Sequence, residues 1–190
     1  RIEENPKKDL IAKAIQNGLE KVDYEQKGES VPFMVGLKDK IFAKLVFSKF
    51  KEGLGIVDTE YFVTAAAPMN KDVHRWFHAI GIDVTEIYGM TEDTGPATIG
   101  VPGNAVESFE KRLKVDSIKV PSVLNPIGKV GIPIPGTEVK VMEDGELCIK
   151  GNHVAQGYFK SEEQTKETFD ADGWLHTAVS YTHLTLPTSR

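Results

Sequence analysis

A single cysteine, Cys148, is all the sulfur chemistry of this kind the sequence has, so no disulfide can form within the chain and the redox compartment stays open. No apolar run approaches the roughly 20 residues that a membrane-spanning helix needs. Positive charge is not in excess either: 23 Lys and Arg stand against 28 Asp and Glu, a net charge of −5. That balance repels phosphate backbones and argues against nucleic acid as a partner. There is no internal repeat. Gly128-Lys129 lacks the preceding Gly of a phosphate loop, whose place is taken by Val123. The first residue is Arg1, in a polar, helix-like stretch without Met or a signal-peptide pattern, so the chain reads as an internal piece of a longer protein. What remains is an ordinary globular composition, 40% hydrophobic and 27% charged over 190 residues, enough for one domain or two small ones.

The apolar residues Leu10, Ile11, Ala14, Ile15, Leu19 and Val22 recur near a 3.6-residue period and predict an amphipathic helix. Ile41, Leu45, Val46 and Phe50 predict a second, with Lys38, Lys40, Lys44 and Lys49 on its solvated face. Tyr61, Phe62, Val63 and Thr64 read as a short buried strand. Asn70 is placed as the N-cap of a helix whose inner face is Val73, Trp76, Phe77 and Ile80, and Gly81 ends it. Residues 82–87 form the next strand. A strand-helix-strand unit of this length crosses over right-handedly, so its two strands are expected to be parallel, with ligands at their carboxyl ends. From Gly128 onward the texture changes. Strands over 128–135, 138–142 and 146–150, with turns at Pro135-Gly136 and Asp144-Gly145, predict a small antiparallel or barrel-like subdomain. A short helix follows over 161–169, with Ser161 and Gln164 at capping-box spacing. The expected class is α/β: a partial parallel sheet with flanking helices over 1–100, then a connection and β-rich subdomain over 101–177.

The loop Tyr88-Gly89-Met90-Thr91-Glu92 closes the second parallel strand. It offers a ring for a base, a hydroxyl for a phosphate oxygen and a carboxylate for Mg²⁺. Ala65-Ala66-Ala67-Pro68 closes the first strand with small residues that allow close backbone approach to a planar ligand. As a plainer reading, Pro68 and Gly89 only shape turns. His74 and His78 have metal-ligand spacing, but Arg75 stands where a metalloprotease motif has Glu, and both read as solvent or core-edge histidines. Cys148 reads as a core residue of a strand, not a nucleophile.

Taken with Gly128 to Gly136, Gly145-Glu146-Leu147-Cys148-Ile149-Lys150-Gly151, Gly157-Tyr158 and Asp172-Gly173-Trp174-Leu175-His176-Thr177, these blocks resemble the adenylate-forming superfamily over about 55–177. The fatty acyl-CoA synthetases are the most similar, through Thr64 to Met69, Tyr88 to Thr98 and Gly173 to Thr177. The resemblance implies a carboxylate activated with ATP and Mg²⁺, then transferred to CoA, in a cytoplasmic or membrane-peripheral parent enzyme acting on a fatty acid or similar acid. Tyr88 would pack on adenine, with Ala65, Ala66, Ala67 and Pro68 bordering it and Gly89 and Met90 in the same nucleotide-binding loop. Thr91 would contact the α-phosphate and Glu92 would hold Mg²⁺. The phosphate loop, the ribose-binding Asp and the C-terminal domain with its Lys lie outside this chain, which is therefore expected to be inactive alone.

Two departures stand out. The connection between Glu92 and Gly128 is long, with a charged stretch over 107–119. And the family's Trp-x-x-Thr runs on into Gly-Asp, whereas Thr177 is followed by Ala178-Val179. Residues 179–190, free of acidic side chains, are similar to a translated sequencing adapter, so 178–190 reads as a non-native tail. A native C-terminal strand is the alternative. A stand-alone nucleotide-binding module and an interaction domain also fit the residues; a native frame reaching Gly-Asp after Thr177 separates the enzyme from both.

Overall fold

The computed structural model describes residues 7–101 and 125–180. Helix α1 (Lys8–Lys27) follows the first periodic segment and ends at Gly28 in the left-handed conformation (φ 69°). Helix α2 (Phe33–Phe42) runs through a π-helical turn, Ala43–Phe47, directly into α3 (Ser48–Leu54). The π turn inserts a residue and rotates the apolar phase. The expected face is therefore corrected: Phe47 is buried, while Ile41, Leu45 and Phe50 are exposed. Of the four lysines on the expected solvated face, Lys38, Lys40, Lys44 and Lys49 are all exposed.

Strands β1 (Phe62–Thr64) and β2 (Val84–Tyr88) pair in parallel, Thr64 against Glu86, joined through α4 (Lys71–Ala79). The crossover is as the spacing predicts. β1 is less buried than expected: it ends the sheet, and Val63 is 52% exposed on the face that no described helix covers. Asn70 caps α4, its Oδ1 accepting from the backbone N–H groups of Asp72 (2.9 Å) and Val73 (3.1 Å). The buried face of α4 is not quite the expected one. His74, Ala79 and Ile80 point inward and Val73 outward. His74 is completely buried: its Nε2 reaches the Val84 carbonyl of β2 at 2.7 Å, while its Nδ1 has no hydrogen-bond partner among the described residues.

α1 lies across α4. Gly18 allows the contact: a Cβ there would fall 2.0 Å from the Ala79 carbonyl oxygen. Arg75 clamps the pair from outside with two bonds to the Asp23 carboxylate, at 2.8 and 2.7 Å. Ala14, Phe47, Ile80, Ile82 and Val84 form the first core, with Phe62 and Trp76 packed on it.

Beyond β2 the sheet turns antiparallel through β3 (Thr98–Ile99) and β4 (Ile132–Pro133), giving a mixed four-stranded sheet in the order β1-β2-β3-β4. The strand expected over 128–135 is thus short and completes this sheet rather than opening the next one. β5 (Thr137–Val141), β6 (Glu146–Gly151) and β7 (Leu175–Ser180) form a separate antiparallel sheet, with α5 (Glu162–Thr168) between β6 and β7. Ser161 sits at the N-cap of α5, but its hydroxyl donates to the Gln164 side chain at 2.8 Å instead of capping the backbone. Ala97, Ile149 and Leu175 form a second core that ties the two sheets together, with Tyr88, Met90 and Phe169 around it. Cys148 is buried in β6, as expected. Val179 and Ser180 continue β7. The remainder of the tail and the 107–119 stretch lie outside the described residues. Among the described residues, no helix is long and apolar enough to cross a membrane.

Candidate active site

Because β1 and β2 are parallel neighbours, the loops that follow them emerge at the same sheet edge. Ala65, Ala66, Ala67 and Pro68 are all exposed there. Ala66 holds φ at 72°, a left-handed conformation that an alanine pays for in Cβ contacts. The end of this loop is pinned from β2: the Met69 N–H donates to Glu86 Oε1 at 2.8 Å. Glu86 is buried, and its other oxygen lies 3.7 Å from His74 Nδ1. Sequence reasoning missed this carboxylate. Its signal is a charged residue in the middle of a strand otherwise fit for burial.

The second loop folds back on itself. The Ala97 N–H donates to the Tyr88 carbonyl at 2.8 Å, and Gly89 fits where a Cβ would come within 3.0 Å of both Gly95 and Pro96. A 3₁₀ turn, Thr91–Asp93, forms the tip. Asp93, also missed, organises it from inside. Fully buried, its Oδ1 accepts from the Met90 N–H (3.1 Å) and the Gly95 N–H (2.6 Å), while its Oδ2 has no hydrogen-bond partner. The Asp-Thr-Gly-Pro run was the available turn signal.

Thr91 is exposed at the tip and Glu92 half-buried beside it. Glu92 is held by the connection that follows β6: its Oε1 accepts from the Tyr158 hydroxyl at 2.7 Å, and its carbonyl accepts from the Ala155 N–H at 2.7 Å. The hydrogen bond to this carboxylate raises the Tyr158 phenol above its ordinary pKa, so Tyr158 remains a donor. Tyr88 is half-buried against the second core. Burial raises its phenol too, with the nearby Thr177 hydroxyl acting in the opposite direction. His153 also anchors the tip, between the Asp93 carbonyl and the Thr137 hydroxyl.

The structure therefore brings the two strand-end loops to one edge, with oxygen donors at Thr91 and Glu92. The exposed Thr91 hydroxyl and the Glu92 carboxylate are oxygen donors of the kind a hard cation such as Mg²⁺ takes.

Residues 16–159 match the AMP-binding enzyme family. The chain belongs to that family. Long-chain-fatty-acid–CoA ligase 5 of Mus musculus is 37% identical over 152 residues, covering 74% of this chain and 19% of that protein. Long-chain-fatty-acid–CoA ligase ACSBG2 of Xenopus laevis is 34% identical over 146 residues, covering 74% of this chain and 17% of that protein. This AMP-binding chain thus spans about a fifth of the length of the curated relatives it matches. Among solved structures, apo MatB from Rhodopseudomonas palustris is similar, with a TM-score of 0.44 and 29% identity over 62% of this chain and 22% of that one.

Proposed function

We propose that this chain is a segment of an ATP-dependent fatty-acid–CoA ligase and carries part of its nucleotide site. The observation behind the reading is the shared edge of the parallel pair, where the Ala65–Pro68 loop and the Tyr88–Glu92 loop emerge together. In the first half-reaction a substrate carboxylate oxygen bonds to the α-phosphorus of ATP and pyrophosphate leaves. In the second the CoA thiolate attacks the acyl carbon and AMP leaves. Ala65, Ala66, Ala67, Pro68, Gly89 and Met90 border the adenine, and Tyr88 packs on it. Thr91 donates to an α-phosphate oxygen. Glu92, held in place by Tyr158, is the ligand for Mg²⁺, which when bound supplies charge neutralisation for the phosphates.

The test is Glu92→Gln in the whole enzyme. Size and most hydrogen bonding are kept while the charge is lost. Acyl-adenylate formation should fall by about 100-fold or more, as when one strong electrostatic stabiliser is removed. CoA thiolysis of supplied acyl-adenylate, which involves no pyrophosphate, should fall much less. Equal losses in both half-reactions would make Glu92 a structural residue. The isolated chain, lacking the upstream phosphate loop, should show no carboxylate-dependent ATP–pyrophosphate exchange.

A further inference from the structure

The three-stranded sheet carries a second group of ligating side chains, outside the loops described above. Cys148 on β6 and His176 on β7 are register partners, and Glu146 lies two residues before Cys148. Alternation along a strand puts all three on one face. The ladder is shifted between Glu146 and Cys148, and the glutamate closes over its neighbours. His176 Nδ1 is 2.8 Å from Glu146 Oε2 and 3.6 Å from Cys148 Sγ. Cys148 Sγ is 4.0 Å from Glu146 Oε2. One donor atom from each residue thus falls within 4.8 Å of the other two.

These separations are close to what a tetrahedral ion requires. Bonds of about 2.3 Å to sulfur and 2.0–2.1 Å to nitrogen or oxygen hold S and N about 3.6 Å apart, and N and O about 3.3 Å apart. The first spacing is already met. The second needs the Glu146–His176 pair to open by roughly 0.5 Å, as a proton between them gives way to a metal.

The surroundings hold each ligand in position. Glu146 Oε1 accepts from the Ala178 N–H at 2.8 Å, which turns Oε2 toward the cluster. Behind His176, Asp170 Oδ2 lies 3.6 Å from Nε2. Asp170 is itself fixed, its Oδ1 accepting from the N–H groups of Asp172 (2.9 Å) and Trp174 (2.8 Å). A carboxylate behind a histidine is the usual way to set the ring's tautomer for metal binding. Cys148 forms the buried floor, while the Glu146 and His176 side chains are 22% and 27% exposed and leave the approach open to solvent. A thiolate and a carboxylate neutralise a divalent cation. The charges outside them are also balanced, Asp170 on one side and Lys140 on the other; Lys140 is opposite Cys148 in β5, with its ammonium over the Trp174 ring at 4.0 Å.

We propose that Glu146, Cys148 and His176 form a binding site for a thiophilic first-row divalent cation of the zinc class, with Asp170 as the positioning residue behind His176 and water in the fourth position. Binding forms the S–, N– and O–metal bonds and releases two protons to solvent, that of the thiol and the one held between His176 Nδ1 and Glu146 Oε2. The neutral imidazole keeps one proton, on Nε2 facing Asp170. No electron is transferred.

Cobalt(II) is the probe, because Cys148 is the only thiol in the chain and a thiolate-to-cobalt charge-transfer band can come from nowhere else. The reduced 190-residue chain should take up one cobalt with that band, and zinc should displace it. Cys148→Ser should abolish the band. His176→Gln should weaken binding at least about 10-fold, and Asp170→Asn by roughly 10–100-fold with the band at saturation unchanged. Far-ultraviolet circular dichroism checks that each variant is folded; should Cys148→Ser fail to fold, the wild type and His176→Gln decide. No band in the folded wild type at excess cobalt, or an affinity that His176→Gln leaves unchanged, overturns the assignment.

Discussion

Two alanines hold conformations that suit glycine. Ala66 in the first site loop has φ 72°, and Ala178 after Thr177 has φ 56°. In the left-handed region a Cβ costs about 1–2 kcal/mol, part of which a glycine gives back through its larger unfolded-state entropy. Ala66→Gly and Ala178→Gly should therefore each stabilise the chain by about 0.5–1 kcal/mol. The check is a higher urea midpoint at unchanged m-value. A lower midpoint for Ala66→Gly would show that the loop is not strained at this residue. Ala178 also stands where the resemblance to the family implies a Gly, a residue that its left-handed backbone suits.

At the scale of elements, the α1–α4 crossing depends on one missing side chain. Gly18→Ala would push a Cβ to 2.0 Å from the Ala79 oxygen, a backbone atom that cannot swing aside. The helices must separate, at a cost of roughly 1–3 kcal/mol, typical of overpacking. Equilibrium denaturation that shows no loss would mean the helices do not cross here. Helix α4 also carries a pH dependence. Burial lowers the pKa of His78 below its ordinary value, against the opposing pull of its bond to the Val84 carbonyl and of Asp83. With the folded pKa depressed, the folded state resists protonation. Its contribution is fully present above the unfolded value, about 6.5, and is lost as pH falls through the folded value. His78→Gln should flatten that part of the stability–pH curve below about pH 6.5. An unchanged slope in the variant would assign the dependence to another group.

At the scale of the molecule, much apolar surface is exposed among the described residues. A cavity of ≈ 620 Å³ opens between α1, the π turn and α4, walled by Leu10, Ile15, Val46, Phe47, Trp76 and Ile80. Phe33 is 79% exposed and Leu45 56%, and β1 presents an unpaired edge among the described strands. Surfaces like these associate in water. The isolated chain should run larger than a monomer in size-exclusion chromatography with light scattering at micromolar concentration. Leu45→Glu, which places a charge on the exposed face, should shift it toward the monomer. A monodisperse wild-type monomer would show that the surface is not sticky as it stands.

Short-range signals determined what short-range physics controls. The Asn70 cap, the Gly81 stop, the parallel crossover and the two strand-end loops all follow from a few neighbouring residues. So does the family, through blocks whose order survives in the chain. Tertiary structure decided whatever depends on partners distant in sequence. The π turn moved burial from Ile41 and Leu45 to Phe47, because the phase of a helix is fixed by what it packs against. His74 went into the core because a carbonyl of β2 was there to meet it. Glu92 found Tyr158, and Cys148 found His176 and Glu146, across sheets and strands whose pairing no local pattern specifies. Local periodicity reports which residues prefer burial. Only the packed chain decides which polar groups end up within bonding distance of one another.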